Sequence, residues 1–406
     1  MGEDRSASIE IADARQVAAP RRVARRALFY LSGYDPRGPG FYHRLYREQA
    51  ALQAALTGAA VKVGPRRNSG PLVAQWRVSA TYDGQAAETD YHFLRWDDQV
   101  RGAWRTGELA LLVQIWRGLS VFARRGVLGL TRRRWRAPFF ASLFPAVASS
   151  LYLAAMAVVG LGLWWVARAA LTRVGAPGSA WIVLLAPLIV ASQLRRGWRW
   201  LDARLGVSWL SRCISYMIDT AHDAAAVGAR CDDLAALVAQ AAQDPAIDEV
   251  LLVGHSQGCA HAARIAARLI QAPRGSGRSG LALSLLTLGQ PFALYHRLAE
   301  DRGFKADLAR LAFSDQLVWV DYTSPGDPVS SSDIDPLEGL GLSGARWPRR
   351  RSPRFHQLVS PARFRRMQIR LLDYHFQYLM AGERVGDYDF FRLTAGPQPL
   401  SVAAAP

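Results

Sequence analysis

The stretch "DEVLLVGHSQGCAHAARIAARLI", Asp248 to Ile270, changes its period halfway. Its first part is a short apolar run of the kind that fills a strand buried on both faces, and its last part repeats alanine and isoleucine at helical spacing. Between them, Gly254-His255-Ser256-Gln257-Gly258 spaces two glycines around a serine. A strand that turns at once into a helix needs small residues on either side of the turn, because strand and helix backbones come into contact there. The serine at the apex then projects its hydroxyl above the sheet edge. The helix start behind it offers unpaired N–H groups and a dipole that favours incoming negative charge. Ser256 is therefore the candidate nucleophile, with a plain structural turn as the alternative, and His255 within the elbow reads as a packing or orienting residue.

Working outward, "LALSLLTLG" (Leu281 to Gly289) and "QLVWVDYT" (Gln316 to Thr323) have the same short apolar character, and "RALFYLSGY" (Arg26 to Tyr34) is a strand ending in a glycine loop. "VAQWRVSATYDGQAAETDYHFLRW" forms a hairpin about an Asp83-Gly84 turn. A helical stretch runs from about Leu201 to Ala242. Strands separated by helices make a mainly parallel sheet.

A serine hydroxyl is a poor nucleophile near neutral pH unless an imidazole accepts its proton and a carboxylate holds that imidazole in one tautomer. If acid and base follow the serine in that order, "WVDYTSPGDPVS" supplies Asp321 and Asp327. Asp321 still belongs to a strand. Asp327 lies in the loop beyond the strand's carboxyl end, where the active groups of open parallel sheets collect, and is preferred; an Asp-Pro turn without chemistry is the alternative. His375, in "LLDYHFQYLMAG", is preferred as base over His356, and His296 comes too early in the chain. A histidine packed among Tyr374, Phe376 and Tyr378 would look the same. The oxyanion donors are the N–H of Gln257 and that of Gly33 or Tyr34 in "YLSGYDPRGPG", which could also be an ordinary surface loop.

Lys+Arg number 50 against 33 Asp+Glu, a net charge of +17, and only Lys62 and Lys305 are lysines. The arginines cluster at 21–26, 132–136, 195–199 and 349–351, and the middle two clusters flank the most apolar part of the chain. That arrangement favours an anionic membrane surface over nucleic acid, for which no zinc-finger or RRM-type signature exists. The two outer clusters could equally be solvated surface. Between Arg136 and Arg168 lie 31 uncharged residues, more than the roughly 20 that cross about 30 Å of hydrocarbon. A second uncharged run, Val174 to Leu194, opens with a turn-like "VGAPGS" and is shorter once that turn is removed, so a full crossing by 179–194 is less secure. Trp164, Trp165, Trp181, Trp198 and Trp200 sit near the ends of these runs, as an interfacial belt would place them. The expectation is a transmembrane hairpin over 137–194 with both flanks in the cytoplasm, in a bacterial-type inner membrane, with two buried core helices as the alternative. Cys213, Cys231 and Cys259 have neither metal-knuckle nor redox-pair spacing.

With these residues in hand, the chain resembles α/β-hydrolases of the lipase type, especially class 3 lipase-like proteins. The resemblance rests on "VGHSQG" around Ser256, "LLTLGQP" (Leu285 to Pro291), "SPGDPVS" around Asp327 and "HFQYL" from His375, over roughly 247–380. It implies an α/β-hydrolase-like, mainly parallel sheet flanked by helices, and cleavage of carboxylic esters, such as lipid esters, with neither cofactor nor metal. The inserted hairpin is no part of that pattern. The expected organisation is a flexible basic arm (1–26), the first part of the catalytic domain (27–130), the hairpin (137–194), the second part with the triad (200–394) and a flexible tail (395–406). A thioesterase, acyltransferase or peptidase on the same triad, and a non-catalytic membrane-tethered scaffold, remain the alternatives.

Overall fold

The computed structural model describes residues 22–104, 107–129, 136–174, 180–222, 224–271, 281–298, 302–331 and 334–405. Nine strands form one sheet: β1 (Arg25–Leu31), β2 (Ala60–Val63), β3 (Arg67–Asn68), β4 (Val73–Tyr82), β5 (Gln85–Leu94), β6 (Glu249–His255), β7 (Ala282–Leu288), β8 (Val318–Tyr322) and β9 (Arg349–Arg351). Their order is β2-β4-β5-β1-β6-β7-β8-β9, with β3 also paired to β4. From β5 to β9 every pair is parallel, and β2, β3 and β4 add an antiparallel margin. The architecture is thus a mixed, mostly parallel α/β sheet flanked by helices, compatible with an α/β-hydrolase-like fold.

The central strands carry the apolar runs because both faces are covered: every residue of β6 is buried. One core joins Phe29, Leu252 and Leu285 to the helix Gly258–Gln271, and a second, on the opposite face, joins Tyr30, Leu251 and Leu286 to the helix Gly38–Thr57 and the C-terminal segments. The β4–β5 hairpin turns where the sequence places it. Tyr82 pairs with Gln85, and Asp83 and Gly84 both have positive φ (51° and 76°), the backbone that a two-residue type I′ turn demands.

Two expectations about charge and termini are corrected. Arg26, assigned to a flexible basic arm, is wholly buried in β1. Its guanidinium pairs with Glu249 at 2.7 Å and donates to the carbonyls of Gly396 (3.0 Å) and Gln398 (2.7 Å). Glu249 in turn accepts from Ser284 Oγ (2.7 Å) and the Leu400 amide (2.9 Å), so every partner of the buried pair is in place. Breaking such a pair by removing one member costs about 3–5 kcal/mol. Residues 395–405, expected to be a flexible tail, are therefore packed, with Leu400 fully buried in the short helix Leu400–Ala403. Arg349–Arg351 forms the edge strand β9 and is exposed or half-exposed, in keeping with the solvated-surface alternative for that cluster. Residues 1–21 and the 132–135 part of the second arginine cluster lie outside the described residues.

Between β5 and β6 the chain is helical. The helices Asp97–Trp104, Glu108–Arg124, Val207–His222 and Ala224–Ala241 lie on the body, while Arg136–Val174 and Ala180–Leu205 pack against each other. The first of this pair docks by its early turns: Ala146 and Ser149 are buried, and Ala146 meets Leu111 and Ile115 of the helix Glu108–Arg124. Beyond that it is bare, with Leu151, Val158, Leu161, Trp165 and Val166 each 60–70% exposed. Ser142–Arg173 is the one helix among the described residues long and apolar enough to cross a membrane, and only 17% of its most apolar window is buried, so it is not a core helix. The stretch from Leu151 to Arg168 alone is about 26 Å long at 1.5 Å per residue. Tyr152 meets the Trp198 ring at 4.8 Å, which joins the two helices near their feet. The predicted helical stretch from Leu201 breaks at Gly206 (φ 68°), where the second helix ends and Val207–His222 begins.

Candidate active site

The turn after β6 has the backbone that the glycine spacing implies. Ser256 has φ 55°, left-handed and unfavourable for a residue with a Cβ, and it is held there by its own amide donating to Leu288 O (2.9 Å) and by Cys259 N donating to its carbonyl (3.0 Å). Neither glycine can be replaced cheaply. A Cβ on Gly254 would lie 2.5 Å from Cys259 Cα, and one on Gly258 would lie 2.2 Å from the carbonyl oxygen of Leu31 in β1. The glycines let the helix Gly258–Gln271 start in contact with two strands, and that contact fixes the serine at the sheet's carboxyl edge.

His375 ends the short helix Leu371–Phe376, and Asp327 sits in the loop after β8. Their side chains meet at 2.8 Å, Nδ1 to Oδ2, and both are buried. The other carboxylate oxygen accepts from the Val329 amide (3.1 Å). With the carboxylate ionised, Nδ1–H is the donor, and Nε2 keeps its lone pair. That nitrogen is buried and has no hydrogen-bond partner, so no bond to Ser256 Oγ is made at rest. The two halves nevertheless adjoin. Leu288 O holds the Ser256 amide, and the next residue, Gly289 (φ 58°), lies so close that a Cβ would be 3.1 Å from both His375 Cε1 and Asp327 Oδ2. The ring of His255 stacks 4.7 Å from that of His375, and its Nε2 meets the His375 carbonyl at 3.0 Å. Burial, then the nearby His375, hold the His255 pKa well below the usual imidazole range, so it stays neutral and clamps the helix that carries His375.

The competing candidates lie elsewhere. Asp321 faces the core and accepts from Thr287 Oγ1 (2.6 Å) and Thr323 Oγ1 (2.9 Å), and burial lifts its pKa to about 6 despite those bonds. His356 is exposed beside Phe364. The side chain of His296 lies outside the described residues.

Gly33 is the residue of the β1 loop that touches the serine: a Cβ there would come within 2.9 Å of Ser256 Cβ and 3.4 Å of its Oγ. Two indoles pin the carbonyls on either side. Trp96 Nε1 donates to Ser32 O (2.9 Å) and Trp209 Nε1 to Tyr34 O (2.8 Å). Because a trans peptide points its C=O and N–H in opposite directions, the Trp96 bond to Ser32 O also fixes the orientation of the Gly33 N–H, while the Trp209 bond holds the far end of the loop at the Tyr34–Asp35 peptide. The Gln257 side chain is locked into the core, donating to Cys213 O (3.4 Å) and accepting from Tyr295 Oη (3.0 Å), which leaves its backbone as what it presents toward the serine.

Several residues here carried no sequence signal. Trp209, in the first turn after Gly206, also lies 6.5 Å from the His375 ring. Tyr374 and Tyr378 hold the acid loop through Ser324, Oη to Oγ at 2.9 Å and N–H to Oη at 2.8 Å. Gly289, Ser324 and Tyr378 lie inside "LLTLGQP", "SPGDPVS" and "HFQYL", but nothing in those motifs pairs the phenols with Ser324, and an indole far away in sequence has no spacing to betray it. The three cysteines are buried and free, with burial pushing Cys213 up to about 12 and Cys231 up to about 11, which leaves them without thiolate chemistry near neutral pH. No family model matches the chain, and neither do any curated protein or any solved structure.

Proposed function

We propose that this protein is a membrane-anchored serine hydrolase of the lipase or esterase type, in which Ser256 attacks the acyl carbon of a carboxylic ester. The observation that carries the reading is the strained Ser256 (φ 55°) beside a buried His375–Asp327 pair whose Nε2 has no other partner. Left-handed backbone is unfavourable at any residue with a Cβ, and an imidazole nitrogen left unpaired while its other nitrogen is held by a carboxylate is the proton acceptor that a serine nucleophile needs.

In this mechanism His375 Nε2 takes the hydroxyl proton as Oγ bonds to the acyl carbon, and Asp327 stabilises the imidazolium that forms. The backbone N–H groups of Gln257 and of Gly33 or Tyr34 receive the oxyanion; one such donor typically lowers the barrier by about 3–4 kcal/mol. The imidazolium then protonates the departing alkoxide. Water, activated by the same nitrogen, releases the acid and restores the serine. No cofactor enters. The bare apolar helix holds this site beside its substrate in the cytoplasmic leaflet, with Arg136–Val174 and Ala180–Leu205 forming an out-and-back hairpin. Both feet of the pair rest on one body, since β1 pairs with β5 before the insertion and with β6 after it.

Activity-based labelling tests this directly. Membranes carrying the wild-type chain should react with a fluorophosphonate at Ser256, Ser256→Ala should remove the label, and alkaline extraction should leave the protein in the membrane pellet. Wild-type protein that stays unlabelled while folded would make it a tethered scaffold. A labelled protein inert to esters but active on thioesters or peptides would move it to another acyl-transfer class.

A further inference from the structure

A cavity of about 360 Å³ lies behind the Ser32–Tyr34 loop, walled by the helices Asp97–Trp104, Glu108–Arg124, Val207–His222 and Ala224–Ala241. Its lining mixes apolar side chains with hydrogen-bonding ones, and two of the latter are unsatisfied. Tyr34 forms one wall: its backbone belongs to the loop that touches Ser256, while its ring stacks on Trp104 (5.6 Å) and Tyr216 (5.1 Å). The Tyr34 hydroxyl is buried and has no hydrogen-bond partner, and neither has Gln114 Oε1 across the cavity. Burial holds the Tyr34 hydroxyl protonated, so it is a donor. Gln99 and Ser215 add an amide and a hydroxyl, the latter 3.5 Å from Asp219. Among the described residues the charged groups of the wall are Arg212 and Asp219, the latter paired with Arg117 at 2.8 Å, whereas both groups left without partners are neutral and call for a neutral hydrogen-bonding ligand.

Two buried polar atoms without partners, one on each side of a chamber this size, mark hydrogen bonds that something else completes. The complement is a molecule bearing several hydroxyl groups, whose C–H faces suit the aromatic wall and whose hydroxyls meet a phenol, two amides and a serine. Two of these walls, Glu108–Arg124 and Val207–His222, also carry the apolar helix, and Tyr34 belongs both to the cavity wall and to the loop whose Gly33 lies against Ser256.

We propose that this cavity binds the neutral, polyhydroxylated alcohol part of the ester cleaved at Ser256, so that the substrate is a fatty-acyl ester of a sugar-sized polyol. The inference rests on the hydrolase reading above. The Oγ–acyl bond forms as the bond from acyl carbon to polyol oxygen breaks, the proton taken by His375 Nε2 passes to that oxygen, and the polyol leaves with its hydroxyls intact.

The test uses the full chain in nanodiscs and two lauroyl esters, of glucose and of methanol. Wild type should favour the glucose ester in kcat/KM by about tenfold or more, and Gln114→Leu should reduce that ratio about fivefold or more, in line with one lost hydrogen bond to a buried partner. Ser215→Ala serves if Gln114→Leu does not fold. A separate arm needs no turnover: Ser256→Ala protein should bind dodecyl β-glucoside more tightly than dodecyl methyl ether, and the preference should vanish with Gln114→Leu. A ratio near one in wild type, or binding indifferent to the head group, overturns the inference while fluorophosphonate labelling still stands. Absence of label with head-group binding intact overturns the hydrolase reading instead, leaving the cavity as a polyol receptor.

Discussion

Replacing Gly289 by alanine tests the acid–base geometry without touching either partner. Gly289 follows β7 with φ 58°, and its amide donates to Tyr322 O (2.9 Å), so the backbone cannot rotate freely to a better region. An added Cβ in left-handed backbone costs about 1–2 kcal/mol. It would also stand 2.8 Å from Tyr378 Cε2 and 3.1 Å from His375 Cε1 and Asp327 Oδ2. Carbon atoms pack at about 3.5–4.0 Å, so the neighbours must yield by roughly half an ångström or more. Tyr378 is fully buried and its hydroxyl is tied to the Ser324 amide, which leaves the imidazole and carboxylate to give way. A misplacement of about 1 Å near reacting groups costs about a hundredfold in rate, so half that distance predicts about tenfold. Gly289→Ala should therefore lose about 2–4 kcal/mol in denaturant unfolding, by the strain and the crowding together, and about 10- to 100-fold in the rate of fluorophosphonate labelling. Gly341→Ala is the control: its φ is 69°, it is exposed, and nothing lies within 4 Å of its Cβ, so it shares the backbone strain without the crowding. Gly289→Ala protein that labels at the wild-type rate would refute the claim that His375 and Asp327 work in the geometry described.

Relief of backbone strain at the nucleophile is the second prediction: Ser256→Gly should unfold at higher denaturant than Ser256→Ala by about 1 kcal/mol, both unlabelled, and equal stabilities would remove the strain argument. Asp321 gives a pH signature. Its folded pKa of about 6 exceeds the unfolded carboxylate value, so the stabilisation is full below the unfolded pKa and is lost as pH rises through 6. The wild type should lose about 2 kcal/mol between pH 4 and 7 relative to Asp321→Asn, and parallel stability profiles would contradict it. Trp209→Phe, which removes the hydrogen bond to Tyr34 O, should lower kcat by about three- to tenfold with KM little changed, and the reverse pattern would assign Trp209 to substrate binding.

The central strands and their parallel sheet, the Asp83-Gly84 turn, the elbow and the Asp327–His375 pairing could all be read from the chain, because each depends on local chemistry: an apolar run, a turn dipeptide, glycines where backbones touch, a polar residue just past a strand end. What escaped was decided by distant partners. Arg26 looks like part of a basic arm until Glu249, Ser284 and the carbonyls of 396 and 398 surround it, and the same contacts turn an apparently loose tail into a packed one. Strands β2, β3 and β9 are short edge elements with exposed or half-exposed residues, so no alternation distinguished them. Trp96 and Trp209 act through single N–H groups on the carbonyls of Ser32 and Tyr34, a role that no spacing rule encodes.

The position of the hairpin within the fold also follows from the sheet. The connection from β5 to β6 must pass over β1, and lengthening a connection costs little because closure entropy grows only with the logarithm of its length. An insertion at this crossing is therefore tolerated. Its segments also reach the Ser32–Tyr34 loop, through Trp96 and Trp209, at the carboxyl ends of the parallel strands where reactive groups gather. An anchor at either terminus would hold the body through a flexible linker and leave its orientation free. Here the returning helix ends at Gly206, whose Cβ position is 3.2 Å from Leu372 in the helix that bears His375, and the next turn delivers Trp209 to the Tyr34 carbonyl. The paired helices and the acid–base pair are thus joined through two packed contacts; on the hydrolase function proposed above, these contacts set the direction from which a membrane ester meets the serine.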